Sequence, residues 1–378
     1  MNILPRSLFQ TLLKQVGKNK VIVLTGPRRV GKTFLLDQLE ATLKTPVVRM
    51  NGDLPETHQI LSSKNIQSYK RLLGTSRLLI IDEAQMIDGI GQILKIIIDH
   101  FKDLTILATG SSSFDLTNQI GEPLTGRQLH YHLYPVWQGE LNLSETHLDT
   151  VRNLEERLLF GSYPELINLE TEAEKRKYLH ELVASYLFKD ILIYDQIRNS
   201  NKLSELLQLI AFQVGKEVSL LEIGRQLSIS KDTVAKYLDL LSKVFVIYRV
   251  GGYSSNLRKE VVKTSKWYFV DNGIRNALIN NFSPLAGRND LGALWENYLM
   301  AERIKRNAYS ENNVIPYFWR TYDQQEIDLI EVKDGKLSAF EFKWRDSKAK
   351  PPVFFTKSYP SASFQVVNRE NYFDFIDS

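Results

Sequence analysis

In the first third of the chain, short apolar runs alternate with stretches in which apolar residues recur every three or four positions. The runs Val21–Thr25, Pro46–Met50, Arg77–Ile81, Thr105–Ala108 and Leu129–Leu133 predict strands, and Lys32–Leu43, Lys64–Leu73 and Ile90–Phe101 predict amphipathic helices. That alternation predicts an α/β domain of three layers, a parallel sheet covered by helices on both faces. From Leu148 to Ile197 the period is helical throughout, with Leu154, Leu158, Leu159, Tyr178, Leu182, Tyr186 and Leu187 on its apolar stripe. Leu220–Leu227, the turn Ser228-Ile229-Ser230 and Lys231–Leu241 predict two helices, the second capped by Ser230 with Val234, Tyr237, Leu238 and Leu241 facing a core. Val244–Val250 then predicts a strand, as in a winged helix. Glu326–Val332 and Leu337–Trp344 alternate with period two and are joined by Lys333-Asp334-Gly335-Lys336, which predicts a hairpin. The pattern divides the chain into an α/β domain over 1–145, a helical lid over 146–205, a winged helix over 206–250 and an α/β domain over 251–378.

The first predicted strand runs into Gly26-Pro27-Arg28-Arg29-Val30-Gly31-Lys32-Thr33, and Phe34 opens the helix that follows. A strand, a loop of the form G-x-x-x-x-G-K-[ST] and a helix together make a phosphate cradle. Glycines let the backbone wrap an anion, and successive N–H groups point inward at a helix N-terminus. Lys32 is expected to reach the β- and γ-phosphates of a nucleotide, and the Thr33 hydroxyl to hold Mg²⁺. The predicted strand Arg77–Ile81 ends in Asp82-Glu83. Asp82 is expected on Mg²⁺ and Glu83 as the general base that takes a proton from the attacking water. Thr109 or Ser111, at the end of another strand, is a candidate contact to the γ-phosphate, with an ordinary serine-rich turn as the alternative.

Composition narrows the setting. The chain has 378 residues, no cysteine and a net charge of +4. Without cysteine there is neither a disulfide nor a thiolate metal site, and a reducing cytoplasm is the expected compartment. No apolar run reaches membrane-spanning length, and Met1–Arg6 lacks a secretory apolar core, so no membrane partner is expected. A mildly basic balance permits DNA as a partner without requiring it.

Gly26–Thr33, the Ile80-Ile81-Asp82-Glu83-Ala84-Gln85 strand end, Ala108-Thr109-Gly110-Ser111 and Leu124-Thr125-Gly126-Arg127 together resemble the AAA-like prokaryotic ATPases, relatives of the STAND signalling ATPases. In those proteins a domain of unknown function follows the ATPase core. The resemblance implies ATP and Mg²⁺ as cofactors. It also implies an Arg127 that neutralises charge on the transferring phosphate, in cis or from a neighbouring subunit of a homo-oligomer; an anchoring ion pair with a carboxylate such as Glu140 is the alternative. Gly161-Ser162-Tyr163-Pro164-Glu165 is similar to the G-x-P motif that reads the nucleotide in STAND relatives, which implies Pro164 near adenine; a plain helix–helix turn is the other reading.

The last third carries a second resemblance. Asp328, then Glu341-Phe342-Lys343 thirteen residues on, resembles the PD-(D/E)xK nuclease core, with Glu296 joining from the predicted helix Leu291–Ile304. Two or three carboxylates would hold Mg²⁺ while Lys343 orients a water. The proline that commonly precedes the Asp is absent, since Glu326-Ile327 stand there. Acid–lysine pairs on a wet hairpin face are the alternative. Arg258, Lys259, Lys263 and Lys266, leading into Trp267–Val270, are either a nucleic-acid track or a surface followed by a core strand. The expectation for the whole is an Mg²⁺-dependent ATPase that couples nucleotide state to domain rearrangement on DNA. A nucleotide-gated signalling switch acting on a protein, and a metal-dependent nuclease, are the alternatives.

Overall fold

The computed structural model describes residues 4–110, 124–195, 200–254, 265–310, 312 and 314–377, the side chains of 185–200 excepted. Two compact units result: Met1–Pro135 with Lys243–Phe245, and Val136–Ser242 with Val246–Ser378. Ser111 and the basic residues Arg258, Lys259 and Lys263 lie outside the described residues.

The first unit is built on five parallel strands, β1 (Val21–Thr25), β2 (Val47–Asn51), β3 (Leu78–Asp82), β4 (Thr105–Gly110) and β5 (Gln128–His132), in the order β2-β3-β4-β1-β5. Every residue of β1 and β4 is buried, as a sheet covered on both faces requires. The helices Ile66–Leu73 and Ile90–His100 pack Tyr69, Leu73, Ile90, Ile93, Leu94 and Ile97 into one core with Val21, Val23, Leu79, Ile81 and Ile106. Because all strands run the same way, Thr25, Asp82 and Gly110 come to one edge. β4 lies between the strand that enters the phosphate loop and the strand that ends in Asp82, through Val21↔Ile106 and Leu78↔Thr105.

The second unit holds a mixed seven-stranded sheet. Its strands are β6 (Glu217–Val218), β7 (Ile247–Gly252), β8 (Ser265–Phe269), β9 (Ile315–Arg320), β10 (Glu326–Lys333), β11 (Lys336–Phe342) and β12 (Ser363–Val367), in the order β12-β11-β10-β9-β7-β8-β6. Ser219 caps the helix Leu220–Leu227 by accepting from the Glu222 N–H, and Ser230 accepts from the Thr233 N–H at the start of Lys231–Lys243. The strand after this helix pair, β7, joins β9 in parallel at Gly251↔Tyr317, so it shares one sheet with the C-terminal hairpin. That hairpin turns through Asp334 (φ 50°) and Gly335 (φ 75°), the left-handed pair a two-residue turn demands. Among the described residues no helix is long and apolar enough to cross a membrane.

Candidate nucleotide site and the C-terminal carboxylate cluster

The loop Gly26–Thr33 leaves β1 at the edge of the sheet, and the helix Lys32–Thr42 begins under it. Gly26 passes so close to β5 that a Cβ there would stand 2.2 Å from the Leu133 carbonyl oxygen. Gly31, at φ 94°, turns the chain into the helix. Arg6 braces the loop from outside, donating to the Val30 carbonyl at 2.7 Å and to the Tyr134 carbonyl at 2.6 Å. Lys32 is buried, its ammonium donating to the Gly26 and Pro27 carbonyls at 2.8 and 2.9 Å. Arg28, Arg29, Thr33 and Phe34 are exposed on the rim, while Pro27 and Val30 are buried.

The second half of the site comes from β2, β3 and β4. The Thr33 hydroxyl donates to Asp82 Oδ2 at 3.4 Å, and the Thr109 hydroxyl donates to Asp82 Oδ1. Thr109 also accepts from the Glu83 N–H at 3.3 Å, which fixes the backbone of the second acid. Glu83 is held at φ 49°, a left-handed conformation that an acid adopts only where its surroundings enforce it. Gly52 helps to enforce it: its N–H donates to the Asp82 carbonyl at 2.7 Å, and a Cβ on it would stand 2.2 Å from the Glu83 carbonyl oxygen. Gln85 Nε2 donates to Glu83 Oε2 at 2.5 Å. The oxygen donors Thr33 and Asp82, adjacent beside the loop, suit a hard cation such as Mg²⁺.

Several of these parts were not legible in the sequence. Arg49 on β2 pairs with Asp37 and lies 3.5 Å from Glu40 and 3.9 Å from Asp82. Burial works against its charge, but Asp37, Asp82 and Glu40 outweigh that and raise its pKa. His132 at the end of β5 meets the Thr25 hydroxyl at 2.6 Å, and burial, with His130 nearby, pushes its pKa down to about 4. No local spacing signals either residue, since each partner sits on another element.

Within the chain Arg127 stands away from the phosphate loop. It precedes β5, its carbonyl accepting from Val21 N–H at the start of β1, so the length of β1 separates it from the loop. Five residues of strand span about 16 Å. Its guanidinium is engaged with Asp99 instead, and Glu140 accepts from its own helix start at Trp137 N. Pro164 opens the 3-10 turn Pro164–Ile167 of the second unit. The preceding Gly161 and Ser162 pack on Asp271, which accepts from the Ser162 N–H at 2.7 Å; a Cβ on Gly161 would stand 2.0 Å from its carboxylate.

In the second unit Asp328, Glu341, Lys343 and Glu296 come to one region. Asp328 accepts from the Phe342 N–H at 2.7 Å, and Lys343 donates to Glu341 Oε1 at 2.6 Å. Glu296 accepts from the Tyr268 hydroxyl at 2.6 Å and lies 3.4 Å from the Lys266 ammonium, which also pairs with Glu326. Burial, reinforced by Glu296 and Glu341, pushes the Asp328 carboxyl well above the usual carboxylate range. Among the described residues no group of three or more His, Cys, Asp or Glu side chains is placed to hold a metal ion. Trp267, Tyr268, Phe269 and Val270 are buried on and after β8, so this is a core strand and offers no ring face to a base.

A parallel sheet with a phosphate loop after β1, an acid pair after β3 and β4 inserted between them defines a P-loop NTPase domain. Residues 18–142 match the AAA domain family, residues 151–285 a domain of unknown function (DUF8612) and residues 291–375 another (DUF4143). The chain thus carries an AAA domain followed by two domains of unknown function. An uncharacterized protein of Mycobacterium tuberculosis is 26% identical over 346 residues, covering 89% of this chain and 73% of that one. An uncharacterized protein of Haemophilus influenzae is 25% identical over 349 residues, covering 87% and 84%. Among solved structures, a signal transduction ATPase with numerous domains from Pyrococcus horikoshii is 12% identical with a TM-score of 0.31, covering 82% of this chain and 48% of that one. This chain thus spans about half the length of that protein. The RuvB Holliday junction branch migration motor of Thermotoga maritima is 14% identical with a TM-score of 0.31, covering 65% and 90%.

Proposed function

We propose that this protein binds ATP with Mg²⁺, hydrolyses it to ADP and phosphate, and uses the change of nucleotide state to rearrange the domains that follow, with DNA as its target. The observation that carries the reading is the convergence of Lys32, Thr33, Asp82 and Glu83 on one edge of the sheet, beside the loop Gly26–Thr33. Lys32 turns from the Gly26 and Pro27 carbonyls to the β- and γ-phosphates, exchanging neutral acceptors for charged ones. Thr33 and Asp82 would hold Mg²⁺, which would supply positive charge to the phosphates when bound. Glu83 takes the proton of the attacking water at its carboxylate, and Thr109 and Gln85 set where that carboxylate stands.

DNA as the target rests on the net charge of +4 and on Lys231 and Lys236, exposed on the helix Lys231–Lys243. Asp232 and Asp239 are exposed on the same helix and weaken its field. The test is ATP turnover with and without single-stranded, duplex and branched DNA across a salt series. Stimulation that fades as salt rises supports the reading. Turnover indifferent to DNA, with nucleotide-dependent assembly, turns it toward a signalling switch that acts on a protein.

A further inference from the structure

Beside the carboxylates that the sequence groups as a metal site lies a buried lysine, near Glu296 and within the electrostatic reach of Asp328. Lys266 lies on β8 and is 1% exposed, with its ammonium paired to Glu326, 3.4 Å from Glu296 and 5.4 Å from the centre of the Phe318 ring. We propose that Lys266 is a built-in cation that stands in the place of a divalent metal, so that Glu296, Asp328 and Glu341 tie the sheet together and the C-terminal domain cleaves no phosphodiester by metal catalysis.

The donor set explains why. A magnesium site needs oxygen lone pairs converging on one point at about 2.1 Å. Here one oxygen of each acid is already engaged within the chain. Glu296 Oε1 accepts from both Tyr268 and Lys266, Glu341 Oε1 from Lys343, and Asp328 Oδ2 from the Phe342 N–H. The register of β10 against β9 shifts between Ile327 and Ile330, a bulge that re-aims Asp328 and Leu329. A dication among these acids would stand within a few ångströms of the Lys266 ammonium, in surroundings that screen little, and would be repelled. Burial alone would lower the pKa of Lys266, but Glu296, Asp328 and Glu326 outweigh it and keep the ammonium charged. The burial that makes the acids costly is thus compensated from within the chain, by a residue 62 positions before Asp328 whose strand lies three places away, beyond β9 and β7.

The experiment is a Mn²⁺ titration of the full chain without nucleotide, followed by electron paramagnetic resonance. We expect the wild type and the double variant Glu296→Gln/Glu341→Gln to bind the same number of ions, and plasmid DNA to remain intact with both. Lys266→Met should bind one Mn²⁺ more per chain than the wild type, and adding Glu296→Gln should remove that ion. Loss of a wild-type Mn²⁺ in the double variant overturns the proposal, as does a folded Lys266→Met that gains none. Should Lys266→Met fail to fold, the comparison of wild type with the double variant still decides.

Discussion

At the end of β3, Asp82 and Glu83 meet hydroxyls, a backbone cradle and a lysine that donates to carbonyls, whereas on β10 and β11 Asp328 and Glu341 lie in reach of two ammonium groups. The residue types are the same, lysine with acids at the ends of strands. The difference lies in what each lysine already touches. Lys32 holds neutral acceptors that a phosphate outcompetes, so its bonds are exchanged at little cost when a nucleotide enters. Lys266 and Lys343 hold full negative charges, and at the buried Lys266 removing either partner leaves a charge unpaired in a poorly solvated place. A lysine poised over backbone carbonyls marks a site awaiting an anion, and a lysine locked to carboxylates marks a finished ion network.

The sharpest way to break this contrast is Glu83→Gln. It should lower ATP turnover by roughly 10²–10⁴-fold while nucleotide affinity, measured by fluorescent-nucleotide titration, stays near wild type. Turnover at the wild-type rate would assign the base elsewhere. Lys32→Ala comes next: loss of charge-assisted bonds to phosphate should weaken ATP binding by about a hundredfold, with thermal stability little changed. An unaltered affinity would contradict the loop assignment.

In the second unit the corresponding loss should appear as stability. Arg303 donates to both Glu331 oxygens at 2.8 and 2.9 Å and is buried with it, so Arg303→Ala should lower unfolding free energy by about 3–5 kcal/mol in urea. A loss below about 1 kcal/mol would show that water replaces the pair.

Acid separates the units at smaller cost. His132 has a folded pKa of about 4, below its ordinary 6.5, so its contribution is present above pH 6.5 and is lost as pH falls toward 4. That is on the order of 2–3 kcal/mol from the first unit. Asp290 in the second unit is held at about 2: burial works to raise it, but Arg288 and Arg275 outweigh burial. Its contribution is therefore kept until pH falls below about 4 and is lost toward 2. The five tryptophans, Trp137, Trp267, Trp295, Trp319 and Trp344, all belong to the second unit, so their fluorescence reports on it alone. Circular dichroism should weaken between pH 6 and pH 4, with tryptophan emission following only at lower pH, and His132→Gln should remove the earlier phase. Coincident transitions would refute the assignment to separate units.

The loop Gly26–Thr33, the acid pair Asp82-Glu83 and the five strands of the first unit were legible along the chain because each is local. A phosphate cradle needs contiguous N–H groups and glycines at set positions, and a doubly covered strand needs an uninterrupted apolar run. The hairpin around Asp334-Gly335 was equally visible, since its turn demands left-handed residues. Arg127, Arg49 and Lys266 were not. Each carries a charge whose meaning depends on a partner brought up by a different element: Asp99 from a helix, Asp82 from the next strand, Glu296 from a helix beside β8. Backbone geometry is written in neighbouring residues, so the order of the chain was enough to place the cradle. The fate of a charge is settled by whatever folding carries within a few ångströms of it, and that came only with the packed sheets.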